Sequence, residues 1–284
     1  MPEANPPQRL DTALAWAQQL SLPRLEAQML LLHTLGHNPH DRAWLLANDG
    51  EPLAPAAWNS FECLCRRRLT GEPIAYLIGH KAFYGLDLRV NEHVLDPRPD
   101  TETLVDWALE VVQAQATPRI VDLGTGSGAV ALALKAQRPD TSVTAIDASP
   151  QALEVAQHNA RRLNLPITLH QGNWLAGLPG RFDLIASNPP YIAEDDPHLA
   201  ALQYEPRMAL ASGVDGLDAI RTIIAQAPVH LHPGGWLLLE HGHEQAPAVC
   251  RLLQAAGFTQ VQSRSDLAGH ARCSGGCWMG ALAP

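Results

Sequence analysis

The stretch Arg119-Ile120-Val121-Asp122-Leu123-Gly124-Thr125-Gly126-Ser127-Gly128-Ala129 decides the fold. Its first half is an apolar run of strand length, its second half places glycine at alternate positions, and a helical pattern starts at Ala129. Strand, glycine turn and helix in that order open a ligand-binding α/β sheet. Working outward, apolar runs at 120–123, 143–146, 167–169, 182–186 and 236–239 alternate with helical segments at 129–137, 151–163, 217–227 and 246–256. This alternation predicts an α/β domain whose sheet is mostly parallel and covered on both faces. Residues 258–283 predict two further strands, an antiparallel pair at one edge.

Upstream the grammar differs. Residues 8 to about 70 carry apolar residues at helical spacing, with Leu25, Met29, Leu32 and Leu35 running up to Gly36, and no strand pattern. Four or five short helices are expected, forming a small bundle. Gly71-Glu72-Pro73 breaks that pattern, and 81–90 alternates around Gly85 as a β-hairpin does. The division expected is a helical bundle at 1–75, a β-hairpin linker at 76–95 and the α/β domain at 96–284. Within Val94-Leu95-Asp96-Pro97-Arg98-Pro99-Asp100-Thr101-Glu102, the prolines force an extended path, and Asp100 or Thr101 is expected to cap the next helix.

The glycine loop is Gly-x-Gly-x-Gly rather than the Gly-x-Gly-x-x-Gly of dinucleotide binders. Asp147 ends the second strand about twenty residues on, where a carboxylate accepts hydrogen bonds from ribose hydroxyls. Asn173 and Trp174 follow the third strand, an acceptor for an adenine amine beside an apolar wall. Gly124, Thr125, Gly126, Ser127, Gly128, Asp147, Asn173 and Trp174 therefore outline a pocket for an adenosine.

After the fourth apolar run comes Asn188-Pro189-Pro190-Tyr191. A residue before proline is pushed out of the α region, so Asn188 is expected to be extended. Pro189 and Pro190 donate no N–H and leave only carbonyl acceptors, and Tyr191 adds a flat ring. A planar NH2 group, an amide or an exocyclic base amine, can donate two hydrogen bonds into such a corner.

Composition narrows the classes. The chain has 284 residues, 46% of them hydrophobic and 17% charged, and no apolar run long enough to span a bilayer. The first residues lack a signal-peptide pattern, so a cytoplasmic location with no membrane partner is expected. A net charge of −9 argues against affinity built on neutralising many phosphates. Arg66-Arg67-Arg68 is the one dense basic run, expected to be a solvated helix face. Five cysteines, at spacings unlike those of zinc sites, read as free thiols, and no metal site is expected.

The glycine loop, Asp147 and Asn188-Pro189-Pro190-Tyr191 resemble the class I S-adenosyl-L-methionine-dependent methyltransferases that act on planar amino groups. Gly71-Glu72-Pro73-Ile74-Ala75-Tyr76-Leu77-Ile78-Gly79, Phe83, Gly85, 94–102, Glu205-Pro206, Ala209-Leu210, Asp215-Gly216-Leu217, Leu239-Glu240, Gly242 and Gln245 narrow this to the protein-(glutamine-N5) methyltransferases of peptide chain release factors. The resemblance implies a Rossmann-like sheet and S-adenosyl-L-methionine as cofactor. It implies the glutamine of a release factor's Gly-Gly-Gln motif as substrate, with no nucleic acid bound directly. By position, Gly124 to Gly128, Asp147, Asn173, Trp174 and Asn188 hold the cofactor. Asn188 to Tyr191 hold the glutamine, with Asn188, Pro189 and Tyr191 catalytic. Asp96 departs from the family pattern, which has an apolar residue there. So do Asp100, in place of glutamate, and Asn173, in place of aspartate. Two other readings keep the corner: a ribosomal-protein glutamine methyltransferase and an adenine-N6 methyltransferase of DNA or RNA.

Overall fold

A computed structural model describes residues 8–280. The chain forms two compact units that divide between His80 and Lys81. The first is helical: α1 (Leu10–Gln19), α2 (Arg24–Thr34), α3 (Arg42–Ala47), α4 (Pro55–Leu69) and α5 (Ile74–Ile78). Local signals set their ends. The Asp41 carboxylate takes the Trp44 N–H at 3.0 Å and caps α3. Pro55 opens α4, where its missing N–H costs nothing. Leu30, Leu31, Leu32, Trp58 and Phe61 fill the core, with Trp16 edge-on to Trp58 at 4.7 Å. The helical segment runs past residue 75, because Pro73 starts α5 rather than ending the bundle. Arg66, Arg67 and Arg68 each meet a carboxylate, of Glu62, Glu72 and Glu26 in turn.

A hairpin, β1 (His80–Phe83) and β2 (Leu86–Arg89), turns through Tyr84 and Gly85, both at positive φ (48° and 75°). That pair of left-handed residues matches the twist of two strands joined by a two-residue loop. Tyr84 is a strained choice there, and its surroundings hold it. Its N–H donates to Glu102 Oε1 at 2.8 Å and its hydroxyl to Asp106 Oδ1.

The second unit continues with α6 (Glu102–Val111), β3 (Arg119–Leu123), α7 (Ala129–Gln137), β4 (Ser142–Asp147), α8 (Pro150–Arg162), β5 (Thr168–Gln171) and β6 (Phe182–Ser187). After them come α9 (Asp218–His230), β7 (Leu231–Glu240), α10 (Ala246–Ala255), β8 (Thr259–Ser265) and β9 (Ala271–Trp278). The seven strands lie in the order β5-β4-β3-β6-β7-β9-β8. β5 through β7 are parallel, and β9 runs antiparallel to both β7 and β8. The mostly parallel α/β sheet with an antiparallel edge is thus as the sequence implies. The third strand begins one residue later than its apolar run, and β7 extends in both directions.

Two cores sandwich the sheet. Ile120 of β3 packs with Leu104, Trp107 and Leu132 of α6 and α7, while Val121 and Leu123 pack with Ile220, Ile223 and Val249 of α9 and α10. The period-two alternation of β3 supplies both faces. From β3 the chain moves outward to β4 and β5, then returns to lay β6 on the other side of β3. The crevice beyond the carboxyl ends of β3 and β6 is therefore the topological switch point, where open α/β sheets bind ligands. Among the described residues, no helix is long and apolar enough to cross a membrane.

Candidate functional site

A cavity opens at that switch point. Gly124, Thr125, Gly126, Ser127, Asp147, Asn173, Trp174, Asn188 and Pro190 line it, so nine of the twelve residues singled out from the sequence converge on one space. Gly128, Pro189 and Tyr191 are not part of its wall. The glycine loop is held by its own backbone and by strand β4. Thr125 N–H donates to the Ile146 carbonyl at 2.9 Å, and Gly128 N–H to the Thr125 carbonyl at 2.8 Å. Asp147 Oδ2 takes the Gly126 N–H at 2.9 Å while Oδ1 takes the Ser149 N–H at 2.9 Å. Burial raises the Asp147 pKa and these backbone donors oppose it.

Gly124 sits at φ 68°, and a Cβ there would stand 3.4 Å from the Trp174 ring. A methyl group at that distance would make an ordinary contact with the indole, so it is the left-handed backbone that calls for glycine at 124. Trp174 itself adopts φ 55°, a conformation rare for a bulky residue. Its ring packs on the core that includes Leu175 and Ile223.

Asn188 follows the end of β6. Its Nδ2 donates to the Thr101 hydroxyl at 3.1 Å, so its nitrogen end is committed to the protein. The Ser187 hydroxyl donates to the Leu123 carbonyl at 2.7 Å and ties the β6 tip to the β3 tip. Pro189 is buried. The Tyr191 hydroxyl donates to Glu240 Oε1 at 3.3 Å, and its carbonyl accepts from Gln245 Nε2 at 3.0 Å. Burial, and then the Glu240 charge, push the Tyr191 pKa up, so the phenol keeps its proton.

Two family descriptions match the chain, PrmC N-terminal domain over residues 12–79 and Methyltransferase small domain over residues 101–205. A release factor glutamine methyltransferase of Bordetella pertussis is 50% identical over 259 residues, which make up 90% of this chain and 95% of that protein. One of Burkholderia pseudomallei is 47% identical over 275 residues, 93% of this chain and 95% of its own. The chain belongs to the release factor glutamine methyltransferase family. Its fold is shared by a Pyrococcus furiosus methyltransferase (TM-score 0.51, 22% identity, 76% of this chain and 97% of that one). It is also shared by the Thermus thermophilus 16S rRNA N2 G1207 methyltransferase solved with AdoMet and guanosine (TM-score 0.52, 18% identity, 70% and 49%).

Around the cavity stand residues to which the sequence assigned no role, or a different one. Thr101 does not cap α6. A 3-10 turn, Pro99–Thr101, precedes the helix, Thr101 is already αR, and neither it nor Asp100 bonds a helix N–H. The turn directs the Thr101 hydroxyl to Asn188 instead. Asn159 of α8 is fully buried and makes three bonds. Nδ2 donates to the Ser127 and Arg89 carbonyls, both at 2.9 Å, and Oδ1 accepts the Arg89 N–H at 2.8 Å. It clamps the glycine loop to β2, and the signal for it is an asparagine four residues after Val155 on the helix's apolar face.

Asp122, in the cavity wall, accepts from the Thr125 hydroxyl at 2.7 Å and from Ala131 N–H at 3.2 Å. Burial raises its pKa to about 7. Asp96, the departure from the family pattern, is buried and balanced. Lys81 Nζ lies 3.0 Å from its carboxylate and Arg98 3.4 Å away, while Arg98 and the Asp96 N–H both bind Glu205. Two cations and two anions thus fasten 96–98 to the segment after the Asn188 corner.

Proposed function

We propose that this enzyme transfers the methyl group of S-adenosyl-L-methionine to the side-chain amide nitrogen of the glutamine in the Gly-Gly-Gln motif of peptide chain release factors. One observation carries the reading. Asn188 is anchored through Nδ2 at the wall of the cavity that the glycine loop lines, which leaves its acceptor end for a substrate's donor. The cofactor suits the residues present. The side-chain-free surface of Gly124 fits a ligand lying close to the backbone beside Trp174. The Asp147 carboxylate is held by backbone N–H groups, Gly126 and Ser149 among them, and keeps lone pairs for the ribose hydroxyls. Asn173 stands at the cavity wall as an acceptor for the adenine amine.

An amide nitrogen is a poor nucleophile because its lone pair is delocalised into the carbonyl. The bound cofactor supplies a methyl group already activated by its sulfonium. The protein's task is placement and stabilisation of the positive charge that grows on nitrogen. Asn188 Oδ1 and the Pro189 carbonyl accept the two amide hydrogens, and these bonds strengthen as the charge develops. Tyr191, its hydroxyl tied to Glu240, holds its ring against the amide plane. No strong base is required, because the nitrogen becomes acidic once methylated.

The helical unit is the grip on the protein substrate. A variant lacking residues 1–79 is expected to bind cofactor by calorimetry yet not to methylate the intact release factor; undiminished methylation would refute the role. A peptide chain release factor as substrate fits a reaction in the cytoplasm. An acidic chain whose one basic run is paired with glutamates supports a protein over a nucleic acid as partner. Asn188→Ala tests the site. Turnover on a release factor should fall by about 10³-fold while cofactor affinity changes little. Turnover that survives removes Asn188 from the mechanism.

A further inference from the structure

We propose that Leu267, Val214 and Met208 form an apolar rim on the second unit that docks the release-factor surface beside the Gly-Gly-Gln motif. The proposal rests on the release-factor reading above and adds where, next to the cavity, the protein substrate is held. A lone exposed leucine carries little information, because much of any protein surface is apolar. Several such side chains on the loops around one cavity mark a contact site.

The three residues share one end of the sheet. β9 runs antiparallel to β7 with Cys273 opposite Glu240, so the turn 266–270 that precedes β9 lies beyond the carboxyl end of β7. Leu267 stands in that turn and is fully exposed. Val214, 85% exposed, and Met208, 58% exposed, lie on the chain that leaves the carboxyl end of β6 through the Asn188 corner. Met208 also lines the cavity, so the rim is continuous with the site.

Each of the three is carried by a braced backbone. The buried Asp266 carboxylate accepts the Ala268 and His270 N–H groups, both at 2.9 Å, and pairs with Arg272 at 3.2 Å. Arg272 also pairs with Asp100 at 3.1 Å, one residue before the Thr101 that bonds Asn188, so the Leu267 turn is tied to the corner. On one side of Val214 the Gly213 carbonyl accepts the Glu194 N–H at 3.0 Å. On the other side the Asp215 carbonyl accepts Gln245 Nε2 at 3.2 Å, and the same Nε2 bonds the Tyr191 carbonyl. Met208 sits in a 3-10 turn, Arg207–Ala209, whose Arg207 side chain donates to the Glu194 carbonyl at 3.1 Å. Apolar side chains held out into water on such turns add nothing to the core. They are pre-organised for a partner and lose little freedom when one covers them.

The occupant follows from the reaction. The glutamine enters this cavity while attached to a folded protein, so the surface of that protein covers the rim whenever methyl transfer occurs. The two glycines carry no side chain and the glutamine is held in the corner, so the motif itself brings almost no apolar area. Apolar side chains flanking the motif supply the missing contact, and the rim receives them.

The test uses the full-length enzyme, a purified release factor and S-adenosyl-L-methionine. Leu267→Ser should raise KM for the release factor by about 10-fold, and Leu267→Ser combined with Val214→Ser by about 30-fold. In both, kcat should stay within about threefold of the parent, as expected when ground-state binding alone is lost. Cofactor Kd by calorimetry and melting temperature should match the parent, since neither side chain is buried. Val229 and Met279 are exposed as well but stand at the amino end of β7, and Val229→Ser with Met279→Ser should keep the parental KM. A parental KM in the double rim variant, an equal rise in the control pair, or a loss confined to kcat would each overturn the proposal. Sedimentation of the parent as a dimer that the rim variant breaks, or capture of the parent by phospholipid vesicles that the variant escapes, would overturn it by giving the rim to a second copy or a membrane. If the parent methylates no release factor, the substrate reading falls and the rim with it. If the parent is active and the rim variants match it, only the rim falls.

Discussion

The glycine loop and the Asn188 corner face one cavity and are built in opposite ways. The loop is backbone. Its hydrogen bonds run within seven consecutive residues, to the neighbouring strand β4 and to Asn159 of α8, with Asp147 gathering two N–H groups. The corner is side chain. Asn188 is bonded through Nδ2 to Thr101, 87 positions earlier in the chain, and Tyr191 is tied to Glu240, 49 positions later. The difference follows from the ligands. A close approach to an adenosine needs space and fixed N–H directions, which glycine and a strand end supply. An amide that must be recognised and then charged needs acceptors whose sense is set, which takes a hydrogen-bonded side-chain network.

The largest effects should separate the two halves. Asn188→Ala should cost about 10³-fold in turnover at saturating cofactor with little change in cofactor Kd, whereas Asp147→Ala should raise that Kd by about 100-fold and leave saturated turnover within about tenfold. Paired calorimetry and single-turnover rates check this, and equal loss in both parameters for both variants would erase the distinction.

That contrast also explains what could be read from sequence. The sheet, its edge pair and the glycine loop were legible because each is a local pattern: apolar runs of strand length, glycine at alternate positions, an acidic residue at the next strand's end. Asn188 was legible because the prolines after it restrict its backbone. Its partners were not. Thr101 reads as a helix cap, since threonine before an apolar helical run most often is one, and only the 3-10 turn at Pro99–Thr101 turns it inward. Asp96 reads as a misfit in an apolar position until Lys81, Arg98 and Glu205, as far as 109 residues away, are brought around it. The left-handed backbone of Trp174 leaves no mark in composition.

A smaller effect is expected behind the loop. Asn159→Ala leaves the Ser127 carbonyl and both polar groups of Arg89 without their partner, and should destabilise the protein by roughly 2–4 kcal/mol. Cofactor binding should recover part of the lost melting temperature, because the ligand refastens the loop. A melting temperature equal to the parent's would show that the clamp is dispensable.

A further effect concerns pH. Burial raises the Asp122 pKa to about 7 in the folded state, so the native protein binds this proton more tightly than the unfolded chain does. Its contribution to stability is greatest below the ordinary carboxylate pKa, declines as pH rises toward about 7, and is constant above. Glu240 acts with the same sign. Asp122→Asn should therefore flatten the fall in melting temperature between pH 4 and 7. An unchanged slope would show that Asp122 ionises as an exposed carboxylate does.

The central claim is that the corner receives a carboxamide nitrogen. Incubating the enzyme with S-adenosyl-L-methionine carrying a labelled methyl group and an intact release factor, followed by tandem mass spectrometry of the product, tests it directly. The account predicts a single labelled methyl on the side-chain nitrogen of the Gly-Gly-Gln glutamine, absent with Asn188→Ala. A label on any other atom of the release factor, or on nucleic acid adenine alone, would contradict it.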